Sequence, residues 1–438
     1  MRLTDTNGVS REWTQQDEQF FAAPHREPCT EKLAELLRMG KAQKGAVIKL
    51  HLEDFKSFNN IFGYQFGGMF LQEIAQFLCG LDGADVYRIA GVEFVMILEN
   101  KTRQAVEGIL GTMMGRFEHS WHLGGMDCMC AVNMGLCWLP AQSGTEDADA
   151  LLEDLTQAVG ESATIGPNQA AIFDGELMHK IVRKNAIARK LPELIQSGAV
   201  EVRYRPTWST VQKRFTRADC YIRLLNEEFG MVPAQEFLAI AEQSGQIGAV
   251  SQYVIQKTCT IIGQLIREGR DFETIAVPIS PIQFMQERFA QEVQGILDET
   301  GIPAERLAFE ITEMTTMSAF PSAQANLGDL AEMGIEIVLT EFGTGYSGLN
   351  SVLNMPVDVV KLERLLIWQL DNDPRASHLV EGLIHIANNL GIKLIAEGVE
   401  TETQVEFLQA SGCEYEQGFY YSPTLMPEEL KDAFRMVK

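Results

Sequence analysis

The chain has 438 residues, 46% hydrophobic and 22% charged, which suits two or three folded domains and is too apolar for general disorder. Its 36 Lys and Arg stand against 60 Asp and Glu, a formal charge of −24, so phosphate backbones and anionic headgroups are repelled and sequence-independent nucleic-acid binding is disfavoured. No basic-then-apolar leader and no apolar run near the roughly 20 residues of a membrane span occur; the chain reads as cytoplasmic, with no membrane span.

The 8 cysteines are scattered without a C-x-x-C pair and read as reduced thiols. After a polar N-terminal extension (1–24), Ala46 to Leu50 is a short apolar strand and Phe62 to Leu81 carries helical spacing. Val86 to Ile89 and Phe94 to Leu98 form strands joined by Ala90-Gly91-Val92-Glu93, a hairpin signal. Helical 103–118, strand-like 128–138 and helical 147–160 follow. That order predicts an α/β domain of ferredoxin-like type over 25–175. Cys128 and Cys130 would share one strand face near His122, a three-donor group that either packs or begins a metal site.

Residues 176–198 read as a long connecting helix into a second domain, 176–438. Beyond it come eight strand candidates: Val200 to Tyr204, Cys220 to Leu225, Thr274 to Ile279, Leu307 to Thr312, Glu336 to Glu341, Val357 to Leu362, Lys393 to Ala396 and Glu416 to Tyr420. With amphipathic stretches between them, this spacing matches a (β/α)8 TIM barrel, an open doubly wound sheet being the competitor. Chemistry in a barrel sits where strands end. Asp219, Pro278, Glu310, Thr340, Glu341, Lys361, Glu397 and Gln417 fall there. Carboxylates closing apolar runs are costly unless they converge on one another or on a cation. The set therefore reads as a cup for hard divalent ions such as Mg²⁺ or Mn²⁺, and through them for a phosphate-bearing ligand.

Phe309-Glu310-Ile311-Thr312-Glu313, Glu341-Phe342-Gly343-Thr344-Gly345-Tyr346-Ser347, Lys361-Leu362-Glu363, Ala396-Glu397-Gly398-Val399-Glu400-Thr401 and Gln417-Gly418-Phe419 resemble the EAL-domain cyclic di-GMP phosphodiesterases. The first block is similar, more loosely, to a GGDEF diguanylate cyclase domain through Phe55-Lys56-Ser57-Phe58-Asn59 and Val86 to Phe94. The tandem resemblance implies a bacterial protein concerned with cyclic di-GMP.

The departures from that resemblance shape the expected function. Where the cyclase family holds its metals with acidic side chains, this chain has His51 and Val92; Gly68 replaces a guanine-reading Asp, while Asn59 and Glu93 are kept. The product-inhibition motif falls on Leu81 and Ala84 and is absent. Cyclase activity is not expected, leaving a packing and dimerisation module or a GTP-binding input. In the barrel, Asp219 stands for the naming Glu, Pro278 for a ligating Asn, and Thr340-Glu341 for an Asp-Asp pair; Glu310, Lys361, Glu397 and Gln417 are retained. The metal group is thus Asp219, Glu310, Glu341 and Gln417, with Glu397 and Lys361 as vestigial catalytic residues. Ligand-contacting positions by resemblance are Arg223, Pro233, Phe237, Gly343, Gly345 and Tyr346; Arg205, where the family has Gln, either contacts phosphate or lies on the surface. The expected function is a catalytically silent sensor of cyclic di-GMP or a scaffold, as a homodimer with a protein partner and at most weakly bound Mg²⁺ or Mn²⁺. An active phosphodiesterase yielding the linear dinucleotide and a nucleotide-independent interaction module are the alternatives.

Overall fold

The computed structural model describes residues 2–4, 10–12, 26–39, 44–140, 147–312, 321–343, 352 and 355–436, with side chains from 26 onward. They fall into two units, Met1–Arg183 and Lys184–Lys438.

In the first unit, five strands run in the order Ala84–Ala90, Glu93–Glu99, Gly45–Leu52, Val132–Leu139, Ala170–Ile172, with Gly45–Leu52 antiparallel to both neighbours. Successive side chains of the central strand point to opposite faces. Ala46, Ile48, Leu50 and Leu52 pack on the helices Phe55–Phe62 and Tyr64–Cys79, while Val47 packs with Leu33, Leu36 and Leu155 of Arg26–Met39 and Ala148–Ile165. Lys49 and His51 continue the Val47 face, so two basic side chains are placed at one end of that layer. The helical spacing over Phe62 to Leu81 resolves into two helices because Gly63, at φ 85°, breaks the chain between them.

The second unit is a closed barrel: β1 (Val200–Ser209), β2 (Arg214–Asn226), β3 (Ile275–Pro278), β4 (Leu307–Thr312), β5 (Glu336–Phe342), β6 (Val359–Leu362), β7 (Lys393–Glu397) and β8 (Tyr415–Gln417). Strands β2 to β8 pair in parallel, and β1 closes the ring antiparallel to both β2 and β8. This departs from a uniform (β/α)8 barrel: only four residues link β1 to β2, too few for a crossover helix.

Alternation along the parallel strands builds the interior in layers. Ala276, Ala308, Val338, Val359, Ile395 and Tyr415 form an apolar plug. Two residues further along each strand come Pro278, Glu310, Thr340, Lys361, Glu397 and Gln417, so strand periodicity alone puts the polar group in one layer. The intervening apolar residues, Val277, Phe309, Leu339, Val360 and Ala396, face the outer helices. Beneath the plug, buried Arg217 bridges Glu336 and Glu273, and Lys393 joins Glu336 at 2.8 Å.

Candidate functional site

Lys361, 2% exposed, occupies the centre of the polar layer. Its Nζ donates to Asp219 Oδ2 and, at 2.6 Å, to Glu310 Oε1. Burial works against its charge, but the carboxylates of Asp219, Glu310 and Glu397 outweigh that and hold the ammonium well above the usual lysine range. Burial pushes the Glu310 carboxyl up to about 8, with the Lys361 charge opposing the rise. Gln417 Nε2 donates to the same Asp219 Oδ2 and, at 2.9 Å, to Thr207 Oγ1, leaving its buried Oε1 without a partner. Gly418 fixes that glutamine: a Cβ there would lie 2.0 Å from Val399 O, and Val399 N donates to Gln417 O at 3.0 Å. Tyr221 OH donates to Glu397 Oε1 at 3.3 Å.

The structure thus brings Asp219, Glu310, Lys361 and Gln417 into direct contact, with Glu397 alongside. Pro278 reaches the layer without a donor atom and lines a cavity of about 130 Å³ with Ile222, Glu242 and Ser251. Thr340 turns its hydroxyl to Ile311 O, 3.1 Å away. Glu341 is exposed and sits at φ 57°, where the β5–β6 register shifts between Leu339 and Phe342. That left-handed backbone is uncommon for a residue other than Gly, Asn or Asp.

Divalent ions of the kind this family implies need several hard oxygen donors converging on one point. The residues present do not fit: among the described residues no three His, Cys, Asp or Glu side chains are grouped to hold an ion, and two carboxylates of the cup already bracket an ammonium. The Cys128, Cys130 and His122 group is likewise dispersed. Both thiols are buried, whereas the exposed His122 pairs with Asp127 at 2.9 Å.

The proposed ligand-contacting residues are spread. Arg223 is bonded to Glu201, which also takes Arg203 at 3.0 Å. Phe237 is 0% exposed in the barrel core. Pro233 is exposed at the start of the helix Ala234–Gln243. Gly343 adopts φ 98°, and Gly345 and Tyr346 lie outside the described residues. Arg205 is packed between two rings, its guanidinium carbon 4.8 Å from the Tyr221 centroid and 4.7 Å from that of Phe419.

Sequence reasoning gave no site role to Tyr221, Thr207 or Phe419, although Phe419 falls within the Gln417-Gly418-Phe419 motif. The signal that finds the first two is the β1–β2 ribbon, whose register sets Arg205 opposite Asp219 and Arg203 opposite Tyr221.

In the first unit, the counterpart of the cyclase site is internally neutralised. Lys49 Nζ lies 3.1 Å from Glu93 and 2.7 Å from Thr156 Oγ1, and His51 Nδ1 lies 3.6 Å from Glu93. The bond to Glu93 raises the His51 pKa above its ordinary 6.5 against the opposing effect of burial. Half-buried Val92 packs on the apolar core. A Cβ at Gly67 would lie 1.9 Å from Asn59 Oδ1, a buried oxygen without a partner; the corresponding position on Gly68 is open.

A closed barrel with an inverted first strand and a carboxylate cup at the carboxyl ends of its parallel strands defines the class. The chain belongs to the GGDEF–EAL tandem family: the EAL domain matches residues 188–424, and the diguanylate cyclase GGDEF domain residues 24–169. The uncharacterized protein y4lL of Sinorhizobium fredii is 27% identical over 383 residues, covering 87% of this chain and 46% of that protein. The cyclic di-GMP phosphodiesterase NbdA of Pseudomonas aeruginosa is 25% identical over 395 residues, 89% of this chain and 50% of that protein. The chain therefore spans about half the length of these curated relatives. Among solved structures, the PaMucR phosphodiesterase in complex with c-di-GMP is 28% identical with a TM-score of 0.53, covering 56% of this chain and 99% of that one. The Vibrio cholerae LapD S helix-GGDEF-EAL structure, 20% identical, shares the fold over 93% of this chain and 98% of that one at a TM-score of 0.65. No helix among the described residues is long and apolar enough to cross a membrane.

Proposed function

We propose that this chain acts in cyclic di-GMP signalling as a receptor whose barrel takes the dinucleotide without hydrolysing it. The GGDEF-like unit would serve as a non-catalytic structural or regulatory module. The observation that carries the reading is Lys361 seated between Asp219 and Glu310 in a layer where Pro278 and Thr340 supply no free ligand. Two-metal hydrolysis requires ions about 3.5–4 Å apart, held by bridging carboxylates. Here one position of the bridging pair is a threonine whose hydroxyl is already spent, and the other is an exposed, backbone-strained glutamate. A shortfall of about 4 kcal/mol in transition-state stabilisation slows turnover about a thousandfold.

Support for the ligand class comes from the relatives: PaMucR is solved with c-di-GMP bound, and NbdA is named a cyclic di-GMP phosphodiesterase. On this reading occupancy of the barrel is passed to a protein partner, with the chain working as a cytoplasmic homodimer and holding Mg²⁺ or Mn²⁺ at most weakly. Calorimetry with cyclic di-GMP tests it. Saturable binding without production of linear dinucleotide is expected, and absence of heat at high micromolar ligand would remove the receptor reading.

A further inference from the structure

Three guanidinium groups stand on the inner face of the β1–β2 ribbon, and they are not equivalent. Arg203 and Arg223 are both committed to Glu201. Arg205 stands one cross-strand step away, opposite Asp219 in register; its guanidinium makes no hydrogen bond or ion pair among the described residues, and its Nε is buried without a partner. No ion pair joins it to Asp219, whose Oδ2 accepts from both Lys361 and Gln417. Tyr221 and Phe419 instead cover the guanidinium, and Phe419 is 63% exposed, so the clamp stands at the accessible mouth of the barrel. Aromatic contacts engage the cationic group but leave its in-plane N–H fork unspent. A buried donor left unmade costs free energy that a suitable acceptor restores.

We infer that Arg205 is the phosphate-holding group of the barrel, binding a phosphodiester of a cyclic dinucleotide without a metal ion. The fork geometry suits phosphate oxygens, and the cup below, with its own cation already shared by two carboxylates, has no other unpaired positive group to offer among these residues. The net charge of −24 makes such a local cation necessary for any anionic ligand. The inference rests on the receptor reading above and adds to it the residue that replaces metal charge.

The test is calorimetry of the full chain with cyclic di-GMP in EDTA and again with Mg²⁺. Wild type should bind equally in both buffers. Arg205→Gln should weaken binding about ten- to a hundredfold, the effect of one charged hydrogen bond. Arg205→Lys should fall in between, since a lysine lacks the fork. Phe419→Leu, at an exposed position that folding tolerates, should weaken binding severalfold by releasing the guanidinium. Wild-type affinity retained by Arg205→Gln, or binding that appears only with Mg²⁺, overturns this inference and leaves the receptor reading standing. No binding by wild type in either buffer overturns both.

Discussion

The Lys361 ammonium stands 2.6 Å from the Glu310 carboxylate and also donates to Asp219, so the barrel carries one protein cation between two buried acids. This arrangement makes the cup a self-neutralised unit, and removing one member should be far costlier than its surface equivalents.

Lys361→Met should destabilise the barrel by about 3–5 kcal/mol, because Asp219 is then buried without its counter-charge and Glu310 without its hydrogen-bond donor. Urea unfolding at neutral pH measures the loss. A change below about 1 kcal/mol would mean that water, and not Lys361, compensates these acids.

The same cup should impart a pH dependence. Glu310 titrates near its ordinary 4.5 in the unfolded chain and near about 8 in the fold. Its folded value is raised, so its contribution to stability is fully present below about 4.5 and is lost as pH rises through about 8. The stability difference between wild type and Glu310→Gln, followed by urea unfolding from pH 5 to pH 9, should therefore move against wild type with increasing pH. A difference that is flat across this range contradicts the assignment.

In the first unit, His51 is raised by Glu93, and its contribution is present below its ordinary 6.5 and lost above its higher folded midpoint. NMR titration should place that midpoint above 6.5 and show it falling in Glu93→Gln. With GTP and Mg²⁺ the chain should make no cyclic di-GMP, since Val92 has no ligating atom and Glu93 is held by Lys49 and His51.

Gly418→Ala should cost about 1–3 kcal/mol and displace Gln417, because the added methyl meets the Val399 carbonyl at 2.0 Å. Thermal unfolding together with loss of dinucleotide binding would record both effects. An unchanged melting temperature would show that the Val399 turn has room to yield.

Much of this was legible in the sequence because strand alternation is local. Once Glu310, Lys361 and Glu397 are placed at strand ends after an apolar residue two positions back, their convergence follows from the barrel. The β1 inversion was not legible, since the apolar pattern of a strand is the same whichever way the strand runs. Three-dimensional pairing was also out of reach. Nothing in the residue types of Arg205 and Arg223 says that Glu201 claims the second and leaves the first. The burial of Phe237, at a position the resemblance puts on the ligand side, was likewise not readable from its residue type.

Restoring ligands gives a constructive test. Pro278→Asn, Thr340→Asp and Glu341→Asp together should raise hydrolysis by at least tenfold over wild type in Mn²⁺, and the Asp at position 341 also suits its φ of 57° better than Glu does. No gain would place the catalytic defect elsewhere in the barrel.

The most direct measurement is chromatographic assay of the unmodified full chain with cyclic di-GMP and excess Mg²⁺ or Mn²⁺, following linear dinucleotide over hours. The self-neutralised cup predicts that the cyclic ligand is recovered intact. Steady, metal-dependent release of the linear product that disappears in Glu310→Ala would contradict it.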